Sequence, residues 1–182
     1  MNEANPYTAP DASLDLEQDE LYQPKIFSFS GRIGRLRYLA YGVGTSLVLM
    51  AVMIPILGGT MFAGGLAGGE QAMGILTMVA MIAFYVASIV LAVMFAKRRL
   101  NDMNRSGWWF LLFLVPLINL VMTIYVIFFS GTQGPNNFGP APVANTLGVK
   151  ILALTLPVIM VVGILAAIAI PAYQDYIMRA GG

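Results

Sequence analysis

The sequence predicts an all-α polytopic membrane protein with four transmembrane helices. Composition points there first: 58% of the 182 residues are hydrophobic and 10% are charged, against about 25% charged in a soluble domain. Four apolar runs, 38–57, 74–95, 107–129 and 147–170, meet the roughly 20 residues that a helix needs to cross a bilayer. No Asp, Glu or Arg falls inside them, and Lys150 is the one basic residue they hold. In lipid the backbone must satisfy its own hydrogen bonds, so each run is expected to be helical.

Taken in order, residues 1–24 carry Glu3, Asp11, Asp15, Glu17, Asp19 and Glu20 and little apolar surface. They are expected to form a disordered, acidic cytoplasmic tail. The first span starts too late for a cleavable secretory signal. Residues 25–142 then form a three-span membrane domain, and residues 143–182 supply the fourth span. The connection 58–73 is glycine-rich with Glu70 its one charge, and reads as a slack hairpin. The connection 130–146 is rich in Gly, Pro and Asn and reads as a fixed turn. Pro55, Pro116 and Pro157 are expected to kink three of the spans.

Charge sets the expected orientation. Lys25, Arg32, Arg35 and Arg37 precede span one. Lys97, Arg98, Arg99 and Arg105 lie between spans two and three, and Arg179 follows span four. With alternating spans these share one face, and Lys150 alone lies on the other. The positive-inside rule then puts the N-terminus, the middle connection and the C-terminus in the cytoplasm, with 58–73 and 130–146 outside. Trp108 and Trp109 follow Arg105 at the level where an aromatic belt belongs.

The sequence has neither cysteine nor histidine. That removes thiolate chemistry, the commonest metal ligand and the commonest general base near neutral pH. The four runs lack the acidic and arginine residues that usually mark transport pathways. Asn119, Thr123, Ser88 and Thr77 are the polar groups at depth and suit hydrogen bonds within or between helices. We expect no enzyme activity, cofactor, metal or nucleic-acid partner.

Two blocks carry a family resemblance. Residues 27–41 read FSFSGRIGRLRYLAY, with Gly31, Arg32, Arg35 and Tyr38. Residues 98–140 hold Arg98-Arg99-Leu100-Asn101-Asp102, then Ser106-Gly107-Trp108-Trp109, then Gly131, Thr132, Gly134, Asn136, Gly139 and Pro140. Over residues 27–142 the chain resembles the bacterial inner-membrane family called domain of unknown function 805. That family often has histidine at the place of Asn101. The resemblance implies a helical inner-membrane protein and no biochemical role.

Read physically, Asp102 follows Arg98 by four and Arg99 by three, so on a helix it can pair with either. Ser106 is placed to cap the next helix. Arg32, Arg35, Arg98, Arg99, Asp102 and Arg105 form either a structural turn at the membrane surface or a polar site for the phosphate headgroup of a membrane lipid.

The C-terminal run 163–180 reads GILAAIAIPAYQDYIMRA. It resembles the N-terminal helix of a type IV pilin. It departs from that pattern at Leu154, where a pilin has its assembly glutamate, and at Val149-Lys150, where a pilin has its processing site. An ordinary filament subunit is therefore not expected. Gly163 and Ala167 make a small-xxx-small pair, which favours close helix approach in lipid. With Arg179 in the cytoplasm this helix would run opposite to a pilin held in the membrane. The leading expectation is a non-enzymatic accessory or regulatory protein. It would bind a pilin or pilus-assembly component through Gly163, Ala167, Pro171, Tyr173 and Asp175. The alternative is an envelope protein that binds anionic lipid or transports a small solute.

Overall fold

The computed structural model describes residues 21–67 and 70–180, and within 65–72 the backbone alone. The expected acidic tail lies outside the described residues except for its last four, and so does the Glu70 side chain. The order is α1 (Arg35–Ala67), α2 (Glu70–Asp102), a 3-10 helix (Gly107–Leu114), α3 (Ile118–Phe128) and α4 (Leu147–Ala180). Among the described residues there is no strand, only two isolated bridges, Tyr22 to Pro142 and Asn136 to Gly139.

Three helices, α1, α2 and α4, are long and apolar enough to cross a membrane. At 33, 33 and 34 residues, each is about 50 Å long, against a hydrocarbon core of about 30 Å. Most of the expected slack loop at 58–73 is instead helical: α1 runs on to Ala67, and α2 starts at Glu70. Glycine weakens a helix by exposing backbone to water, and in lipid that competitor is gone. Thr77 donates to Thr60 across this end at 3.0 Å, and a Cβ on Gly64 would sit 3.4 Å from the Met73 side chain.

At the other end of the pair, Ile33 N donates to Arg98 O at 3.3 Å, so α1 and α2 are antiparallel. Ile33, Met94 and Phe95 are buried there, with Tyr38, Tyr41 and Leu91 against them. We call this the basic end. Asn104, with φ of 55°, ends α2 in the left-handed region that asparagine tolerates.

The third apolar run is divided. Its first half is the eight-residue 3-10 helix, capped as expected by Ser106, whose hydroxyl accepts from Trp108 N at 3.4 Å. Its second half, α3, has 11 residues and spans about 16 Å. Val115, Pro116 and Leu117 break the two halves apart; proline has no N–H to continue the ladder. The run begins beside Lys97, whose side chain covers Gly107. It ends beside Arg99, which donates to Val126 O at 2.8 Å and to Phe129 O. Both of its ends therefore lie at the basic end. Leu100, Met103, Met122 and Val126 form the core beneath it.

The 130–146 connection corrects the expected alternation. Arg37 donates to Val143 O at 2.7 Å and to Ala144 O at 2.9 Å, and Tyr22 N donates to Ala141 O at 2.9 Å. The connection thus lies at the basic end, on the side of the N-terminal segment. From there α4 departs parallel to α1: Leu152 lies against Gly44 as Ala144 lies against Arg37. Its C-terminal end, with Arg179, points to the opposite end from Lys25 and Arg105. Hydropathy measures length and apolarity but not direction, so it does not fix where a run begins and ends relative to the others.

The native chain has no cysteine, so single cysteines report sidedness without background. Lys25→Cys and Gln133→Cys should react with a membrane-impermeant maleimide from one face, and Gln174→Cys from the other. Strict four-span alternation requires instead that Lys25 and Gln174 share a face and Gln133 lies opposite.

Candidate functional site

Polar side chains converge at the basic end. Arg32, Arg98 and Arg99 have no exposed surface, and Asp102 has 3%. Such burial is costly for charges unless they are paired and hydrogen-bonded. Asp102 supplies the pairing. Its Oδ1 accepts from Arg32 Nε at 3.3 Å and Nη2 at 3.2 Å, and its Oδ2 accepts from Arg99 Nη1 at 2.8 Å. The expected pairing with the residue three before is therefore present; the one with Arg98, four before, is not.

Backbone carbonyls take the other donors. Arg32 Nη1 donates to Gly134 O at 2.8 Å and Gly139 O at 3.1 Å, and Nη2 to Thr132 O at 2.7 Å. Gly134 and Gly139 have φ of 69° and 116°, values that L side chains rarely adopt, and these turns aim the carbonyls inward. Thr132 N donates to Asp102 O at 2.8 Å, and Asn136 Nδ2 to Asn101 O at 2.9 Å. A Cβ on Gly131 would overlap the Asp102 carboxylate, so only glycine fits there. Arg98 reaches the N-terminal segment instead, donating to Lys25 O at 2.8 Å and Ile26 O at 3.1 Å. Its Nε and Nη2 have no protein partner among the described residues.

The two remaining arginines of the expected site are exposed. Arg35 donates to Phe128 O at 2.8 Å, and the Arg105 guanidinium lies 5.1 Å from the Trp109 ring centroid. The six residues therefore do not form one surface: four are internal and two are outward. The internal four leave no face for a headgroup, and both Asp102 oxygens are already engaged. Sequence reasoning missed Arg37 and the carbonyls of Thr132, Gly134 and Gly139 as partners. The glycine spacing of that turn was visible; that it wraps a guanidinium 100 residues earlier was not.

The five residues expected to bind a partner lie elsewhere. Gly163, Ala167, Pro171, Tyr173 and Asp175 are all on the distal half of α4, all exposed, and far along the helix from the arginine cluster. A Cβ on Gly163 would meet nothing within 4 Å.

Apolar helices fastened at one end by a buried ionic cluster define a helical membrane protein. The arginines, Asp102 and the glycine turn all fall within residues 26–140, which match the family model described as protein of unknown function (DUF805). The chain belongs to that family. It is 31% identical to the inner membrane protein YhaI of Escherichia coli over 116 residues, covering 63% of this chain and 85% of YhaI. It is 51% identical to the inner membrane protein YhaH of Escherichia coli over 45 residues, covering 25% of this chain and 37% of YhaH. The chain thus spans little more than a third of YhaH. No solved structure matches it.

Asp102→Asn should lower stability by about 3 kcal/mol, because it leaves two buried guanidinium groups without their counter-charge. Gly131→Ala should cost about 1–3 kcal/mol by crowding the same carboxylate. Thermal unfolding of the purified protein in detergent measures both. Arg105→Gln, at the surface, should change stability by less than about 0.5 kcal/mol.

Proposed function

We propose that this chain is a non-enzymatic accessory protein of the bacterial inner membrane that binds a membrane partner through α4. One observation carries the reading. From Val158 to Ala180 every residue of α4 is exposed except Ala166, which is half-buried. A helix that only closed a bundle would bury one stripe; this one leaves its small-residue face, Gly163 and Ala167, uncovered. Beyond it stand Tyr173, Gln174, Asp175 and Tyr176, a polar end with Tyr173 at 64% exposure.

In this reading α1, α2 and α4 cross the membrane, and the 3-10 helix with α3 forms a re-entrant hairpin in place of a fourth crossing. The basic end lies in the cytoplasm, as the positive-inside rule requires. The C-terminal end of α4 then leaves the membrane on the far side. That is the direction of the matching run in a pilin held in the membrane, which supports a pilin or pilus-assembly component as the partner class. The missing assembly glutamate at Leu154 favours a contact beside a filament over a place within one.

The test is photo-crosslinking in cells from a probe at Ala167, with capture identified by mass spectrometry. A pilin or assembly protein is the expected product, and Gly163→Leu with Ala167→Leu should reduce its yield about tenfold, equivalent to 1.4 kcal/mol of lost association. Products confined to lipid or to the chain's own α1 would end the reading.

A further inference from the structure

Below the arginine cluster an apolar groove of about 480 Å³ runs between the helices. Tyr38, Leu39, Gly42 and Leu49 of α1 line it, with Phe95 of α2 and Leu156 of α4. Ile127 of α3 lines it as well. The groove lies along α1, which is long and apolar enough to cross a membrane, and its apolar lining suits an occupant that is apolar along most of its length.

Arg35 stands at its mouth. It lies three and four residues before Tyr38 and Leu39, and seven before Gly42, so it occupies the same stripe of α1 one turn nearer the surface. Its Nη1 is anchored on Phe128 O, next to the lining residue Ile127. It is exposed, and among the described residues its Nε and Nη2 make no protein hydrogen bond. No carboxylate lines the groove. Asp102, the nearest acid by chain position, is already shared by Arg32 and Arg99. Arg35 and Arg99 both hold the end of α3, and among the described residues Arg35 has no carboxylate partner.

We propose that this groove is a binding site for one anionic phospholipid, with an acyl chain along Tyr38, Gly42 and Leu49 and the phosphate at Arg35. A guanidinium with free donors at the membrane surface suits a phosphate, which it can grip with two parallel hydrogen bonds. The apolar floor separates this site from ordinary boundary lipid, because four elements contribute to it. The site is distinct from the exposed face of α4, and neither proposal depends on the other.

The full chain, reconstituted in vesicles of equal parts phosphatidylglycerol and phosphatidylethanolamine, is extracted in mild detergent. Native mass spectrometry then identifies the lipid that stays bound. One phosphatidylglycerol per chain is expected. Arg35→Gln keeps a side-chain donor for Phe128 O and should lower its retention roughly fivefold, the effect of one surface arginine. Gly42→Leu projects into the groove, where a Cβ meets nothing within 4 Å, and should expel the lipid while the chain stays folded. Arg105→Gln, at the same end but off the groove, should retain it. Equal retention of the two headgroups, unchanged retention in Arg35→Gln or Gly42→Leu, or a second copy of the chain in place of lipid would each overturn the proposal.

Discussion

The fold rests on one carboxylate shared between two buried guanidinium groups. Asp102 closes α2, and through Arg32 and Arg99 it fixes three other parts of the chain. Arg32 belongs to the segment that leads into α1 and holds the turn at 132–139. Arg99 holds the end of α3. In a low-dielectric setting an unpaired charge costs far more than in water, so each guanidinium must find acceptors wherever the chain can bring them. Backbone carbonyls meet that demand without adding further charge. The glycine turn and the end of α3 are placed where they are because arginines need oxygens there.

Much of this was legible in the sequence. The apolar runs gave the helices, Ser106 its cap, and the three-residue spacing its ion pair. Direction was not legible. Run 107–129 has the length of a crossing, and only Pro116 hints at a break that many crossing helices tolerate. The charge count does not distinguish a crossing from a run that turns back. When the third run turns back, Lys150 joins the basic end and Arg179 moves to the far one, so nine of the ten basic residues still share a face. Two topologies thus satisfy the same charge rule equally well. The buried state of Arg32, Arg98 and Arg99 was equally hidden, because their acceptors are main-chain oxygens that every sequence possesses.

The match to the family ends at residue 140, before α4 begins. The arginine cluster, α1, α2, the hairpin and the glycine turn form a unit that is complete up to that point. The fourth long helix is fastened to it by Arg37 at Val143 and Ala144, and by packing of its first half on α1. Its second half is exposed apart from Ala166. The residues proposed to bind a partner and those proposed to bind lipid separate along the same line: the near half of α4 helps wall a groove, and the far half is exposed apart from the half-buried Ala166.

The long sequence distance between Arg32 and its acceptors gives the cluster a history. Gly134 and Gly139 follow Arg32 by 102 and 107 residues, so during synthesis their carbonyls emerge long after α1 and α2 are made. Until then Arg32 lacks the carbonyls that take most of its donors. Only when the glycine turn arrives is the full set of acceptors around its guanidinium in place. Arg32 thus becomes a fastener late, when the ribosome delivers one short turn.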